Sequence, residues 1–153
     1  MIESAIGKIG NIVAMRMPPG TDVFAGVIEM CEKYNIKDGV IISALGSWSK
    51  VTFCNPIDLP NGKKGYGDPI VFEGNYELTG LSGIICHEKD GKISPHVHLT
   101  ISDEQGNGYG GHLMPGCIVL LTTDIVIGSF SGIDMGRGFD EKLGVPIFSP
   151  KKK

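Results

Sequence analysis

The chain has 153 residues, of which 41% are hydrophobic and 20% charged, and its formal net charge is −3. That length suits one domain with a self-sufficient core, and the composition excludes a disordered chain, which carries fewer apolar residues and more net charge. Two arginines, Arg16 and Arg137, and short lysine runs at 63–64 and 151–153 leave no basic patch of the kind that neutralises phosphates.

The opening MIESAIGKIG lacks a basic start followed by a long apolar run, so it does not resemble a secretory signal. No stretch approaches the roughly 20 apolar residues that span a bilayer. The expectation is a soluble cytoplasmic protein with no membrane partner. Cys31, Cys54, Cys86 and Cys117 form no C-x-x-C pair and sit among apolar residues, as reduced, buried thiols do.

Residues 11–17, NIVAMRM, predict a strand that ends at Pro18-Pro19-Gly20. Thr21 and Asp22 are N-cap candidates, and Val23, Phe24, Val27, Ile28 and Cys31 recur at helical spacing. The predicted helix runs about three turns and closes near Asn35 and Gly39. GVIISALG and VTFCN read as two strands around a turn at Gly46-Ser47. Residues 56–69 are dense in Pro, Gly, Asn and Asp and read as one long loop.

Strand-like segments follow: IVFEGNYELTG, LSGIICHE, ISPHVHLTIS, NGYGGHLM and GCIVLLTTDIVIGSF, then a looser tail. Asp90-Gly91 and Gln105-Gly106 mark hairpin turns. The 23 glycines follow no short repeat and suggest turns, bulges and close strand contacts. The pattern predicts a single α+β domain over 1–153 with a large, mainly antiparallel sheet and one principal helix. Its core covers about 10–130, with a C-terminal extension at 131–153.

His96 and His98 are one residue apart on a predicted strand, so both imidazoles point to one face, roughly 6.5–7 Å apart along it. A three-residue loop at 104–106, with Gly106 left-handed, pairs Asp103 with Asn107 and sets His98 opposite His112. A two-residue loop at Gly106-Asn107 turns His112 to the other face and dissolves the cluster. Three neutral imidazoles suit zinc, with iron, nickel or copper as alternatives, and three protein ligands leave positions open to a water, a carboxylate or a substrate.

Other residues carry weaker signals. Glu73 and Glu77 lie on a strand; Glu73 is the candidate for proton transfer, against the reading of an exposed strand face. His87 sits near the Asp90-Gly91 turn and reads as a solvated loop residue. Arg16 suits an anionic ligand or a surface ion pair. Gly108, Gly110 and Gly111 run into a strand rather than a helix, which suits close backbone approach or a bulge rather than phosphate binding. Ser43, Ser47 and Ser49 lie near no histidine in the sequence.

The segments EGNYELTGLSG, PHVHLTISDEQGNGYGGHLMPGC and DIVIGSF, with MRMPPGTDVFAGVIEMCEKYNIKDGVIISALGSWSKVTF before them, resemble the PPC (plants and prokaryotes conserved) domain over roughly 10–130. The resemblance implies a stand-alone prokaryotic type that assembles as a homotrimer, with His96, His98 and His112 as metal ligands. It also attaches a DNA-binding label. Plant relatives carry that role with an AT-hook, whose arginine-glycine-arginine core is absent from this sequence. A more distant similarity, at the level of fold, is to α-acetolactate decarboxylase.

Three functions follow as expectations: a trimeric metal protein that senses a small-molecule ligand, a metal-dependent lyase or hydrolase acting on a small carboxylate, and a DNA-binding module.

Overall fold

Alternating burial along the strands sets the architecture. In the computed structural model, which describes residues 2–60 and 62–153, the main sheet is built from β1 (Lys8–Met17), β2 (Gly39–Cys54), β5 (Ile70–His87), β6 (Ile93–Ser102), β7 (Gly108–Leu113) and β8 (Ile118–Ser131). Their order is β1-β8-β2-β5-β6-β7, and every neighbouring pair is antiparallel. β7 also returns to the end of β2, where Phe53 pairs with Leu113 and Cys54 with His112. Strands β2, β5, β6 and β7 therefore form a closed ring, with β8 and then β1 pairing along the rest of the β2 edge that β7 meets.

β6 shows how the sequence assigns its two faces. Ile93, Pro95, Val97, Leu99 and Ile101 are buried, while Ser94, His96, His98, Thr100 and Ser102 take the opposite, more open face. Within the core Trp48 is 0% exposed, and its indole N–H donates to Thr123 Oγ1 at 2.9 Å, so the buried ring keeps its polar atom satisfied.

The helix α1 (Val23–Lys33) starts where expected. Asp22 Oδ1 accepts the Ala25 amide at 2.9 Å, and its other oxygen accepts the Gly116 amide at 2.7 Å, tying the helix start to the β7–β8 connection. Val23, Val27 and Cys31 form the buried stripe, and Asn35 leaves the helix at φ 53°.

Three expectations are corrected. Gly46-Ser47 is not a turn: β2 runs through it as one strand with register shifts against β8, and a Cβ on Gly46 would lie 2.4 Å from the Thr122 carbonyl oxygen. Residues 56–69, apart from Asn61, which lies outside the described residues, hold a small hairpin of β3 (Pro56–Asp58) and β4 (Lys64–Tyr66). The tail is likewise organised. β10 (Arg137–Asp140) pairs with β11 (Val145–Phe148), and β12 (Lys151–Lys152) pairs with β9 (Ile133–Asp134). Short strands rich in Gly, Pro and Lys carry little alternation, so their pairing left no periodic trace.

Candidate metal centre

The β6–β7 turn decides the site. Asp103 donates its amide to the Asn107 carbonyl at 3.0 Å, Gly106 donates to the Asp103 carbonyl at 3.0 Å, and Gly106 sits at φ 83°. The Asp103 side chain accepts from the Gln105 and Asn107 amides, which fastens the three-residue loop. Counting inward, His98 pairs with His112, as the spacing predicts. On the same face Ser82 of β5 stands opposite His98, and Cys54 of β2 stands opposite His112.

The glycines before His112 let β7 close against its neighbours. A Cβ on Gly110 would lie 2.4 Å from the Leu99 carbonyl oxygen; one on Gly111 would lie 2.4 Å from Asn55 Oδ1 and 2.8 Å from the Cys54 carbonyl oxygen. Gly111→Ala should push β7 away from β2, costing roughly 1–3 kcal/mol in denaturant unfolding and weakening metal uptake although no ligand is altered.

The three rings converge. Centroids are 5.2 Å apart for His96 and His98, 5.1 Å for His96 and His112, and 5.4 Å for His98 and His112. One ring nitrogen from each residue lies within 4.8 Å of the other two. Zinc held by nitrogens at about 2.0–2.1 Å needs its ligands roughly 3.3 Å apart, so the rings would turn toward one another on binding. His112 Nδ1 is buried with no hydrogen-bond partner, and in the tautomer that leaves it unprotonated a metal ion would satisfy its lone pair. The donor set fits zinc.

Burial and nearby positive charge favour the neutral form of His96 and His112. Burial pushes His112 down to about 4, aided by His96, His98 and the Arg137 guanidinium. His96 is lowered by burial, then by Arg137 and His98. Neutral imidazole is the metal-binding form. The same shift has a stability consequence. Between the ordinary histidine value of 6.5 and about 4, the unfolded chain takes up a proton that native His112 refuses. Metal-free protein should therefore be most stable above about pH 6.5 and lose stability as pH falls toward about 4. Denaturation across that range should show a shallower slope in His112→Gln.

The remaining candidates do not gather here. Glu73 pairs with Lys50 at 3.5 Å and its side chain is 75% exposed; Glu77 and Arg16 are also exposed. All four cysteines are buried and free. His87 corrects its expectation: it ends β5 with only 18% of its side chain exposed, facing Asp38 at 3.5 Å and Asp134 at 3.4 Å. Its Nδ1 lies 3.1 Å from the Glu88 carbonyl oxygen. Asp38 accepts from the Met135 amide at 2.6 Å and from Lys153 Nζ at 2.5 Å. The last lysine is thus part of a charged knot that fastens residues 132–153 to the ends of β2 and β5.

Two residues near the histidines left no readable pattern. The Tyr66 ring, from β4, lies 5.4 Å from His112, and Arg137, from β10, donates to Ser94 Oγ at 3.1 Å. Each arrives from a short strand whose pairing the sequence did not reveal.

The pattern of the Plants and Prokaryotes Conserved (PCC) domain, the PPC domain of the sequence resemblance, matches residues 4–131. A bifunctional protein GlmU from Synechococcus is 34% identical over 134 residues, covering 88% of this chain and 19% of that protein. The chain thus spans about a fifth of the curated relatives it matches. The fold is shared with a metal-containing protein of Archaeoglobus fulgidus, at TM-score 0.83 and 23% identity over 96% of this chain and 99% of that one. It is shared too with a Bacteroides thetaiotaomicron protein provisionally described as DNA-binding, at TM-score 0.79 and 23% identity over 96% of both.

Proposed function

The chain belongs to the Plants and Prokaryotes Conserved domain family, and from that premise we propose that it is a homotrimeric metal protein holding one divalent ion on His96, His98 and His112. Zinc is the preferred ion by donor chemistry, and the role is to sense or regulate through a small ligand at the metal. The observation that carries this reading is the convergence of three imidazoles with an unpartnered nitrogen on His112. The metal-containing Archaeoglobus neighbour lends support at the level of fold.

The trimer is supported by exposed apolar side chains on β1, β2 and β8: Ile12, Ile42, Leu45 and Leu121. Light scattering in solution tests it. The net charge of −3 and the dispersed lysines favour the metal reading over nucleic-acid binding. No helix among the described residues is long and apolar enough to cross a membrane.

Metal analysis of protein purified without an affinity tag tests the proposal. About one equivalent per chain is expected, falling to background in His98→Ala. A content near zero in the unaltered protein would overturn it.

A further inference from the structure

Arg137 lies beyond residue 131, where the family pattern ends. The extension that carries it is held on the domain by the knot of Asp38, His87, Asp134 and Lys153. It sets the guanidinium against Ser94, two residues before His96 on the same outward face of β6. Ser94 and His96 are therefore roughly 6.5–7 Å apart along the strand. The Tyr66 ring borders His112 at 5.4 Å.

Arg137 is partly buried and short of partners. Nη1 donates to Ser94 Oγ at 3.1 Å and Nη2 to the Pro146 carbonyl at 3.2 Å, while Nε is buried with no partner. Among the described residues no carboxylate oxygen lies within 4.0 Å of its guanidinium. A guanidinium removed from water without a counter-ion is costly, and a fork of N–H donors matches a carboxylate. Of the two carboxylates expected near the site, Glu73 is engaged with Lys50 and Glu77 is exposed.

We propose that Arg137 is the anion-recognising group of the three-histidine site, and that the ligand of this protein is a small carboxylate bound between that guanidinium and the histidine face. This rests on the metal reading above and names the ligand class for it. The extension then sets specificity: a member of the family ending near residue 131 would lack this arginine.

The test uses the full chain loaded with cobalt, whose visible spectrum reports ligands near the ion. Malonate is titrated into the unaltered protein, Arg137→Met and Arg137→Lys, with inorganic phosphate as a second probe and metal content measured throughout. Malonate should perturb the spectrum of the unaltered protein. Its affinity should fall at least 10-fold in Arg137→Met and partly recover in Arg137→Lys, with cobalt content unchanged. Equal malonate affinity in fully loaded Arg137→Met would overturn the proposal. A response to phosphate but not malonate would overturn the carboxylate assignment. Malonate binding that persists in metal-free His98→Ala would place the anion in the cavity of about 350 Å³ that Arg137 lines together with Lys89, Ser149 and Lys151 but that none of the three histidines lines, and would also overturn it. Failure of the unaltered protein to take up cobalt would sink the metal reading itself, an outcome the metal content separates from the others.

Discussion

Replacing His112 with alanine should lower metal affinity by more than the roughly 10–100-fold that loss of an outer-shell partner costs, because it removes one of three donors. His112 is placed by two constraints at once: the three-residue turn sets it opposite His98, and the β2–β7 pairing sets it beside Cys54. No other described His, Cys, Asp or Glu joins the group. The effect should also appear as stability. A metal present at a thousand times its dissociation constant adds about 4 kcal/mol to the native state. For a domain of this size that corresponds to about 8–16 °C in melting temperature. A chelator should therefore lower the melting temperature of the unaltered protein by about that amount and leave His112→Ala nearly unchanged. Equal chelator sensitivity in both would show that the ion sits elsewhere.

The second large effect is expected at Asp38. This carboxylate is 4% exposed and accepts from Met135 N and Lys153 Nζ while facing His87 Nε2. Asp38→Ala leaves the buried Met135 amide and the Lys153 ammonium without their acceptor. A loss of about 2–4 kcal/mol is expected, below the full value for a buried pair because Lys153 is half exposed. Since the knot joins residues 132–153 to the rest of the domain, amides of β9 to β12 should exchange faster than those of β2 and β5. Asp38→Asn, which keeps an acceptor for Met135, should recover part of the loss. Uniform exchange across the chain would argue that the extension is held by other contacts.

The legible features were those with a period or a fixed turn chemistry. The helix showed in Asp22 and in the spacing of Val23, Val27 and Cys31. The histidine register followed from strand alternation and one glycine turn, because a one-residue slip would have reversed every side chain on β7. The glycine pair before His112 was legible as close approach, and the backbone contacts at Gly110 and Gly111 agree. What stayed hidden depended on distant pairing. Gly46 looked like a turn because glycine marks both turns and close contacts, and only the β8 backbone distinguishes them. His87 looked solvated because its partners, Asp38 and Asp134, lie far away in the chain. Arg137 stood out in the sequence only by its rarity. Its place beside the histidine face is set by the folded extension, which carries no alternation to read.

The most direct measurement for the central claim is anomalous diffraction at a metal edge from crystals of protein purified without a tag. One peak per chain is expected between the rings of His96, His98 and His112, about 2.0–2.1 Å from a nitrogen of each. A peak only among Asp38, His87 and Asp134, or no peak at the three histidines with metal supplied, would contradict it.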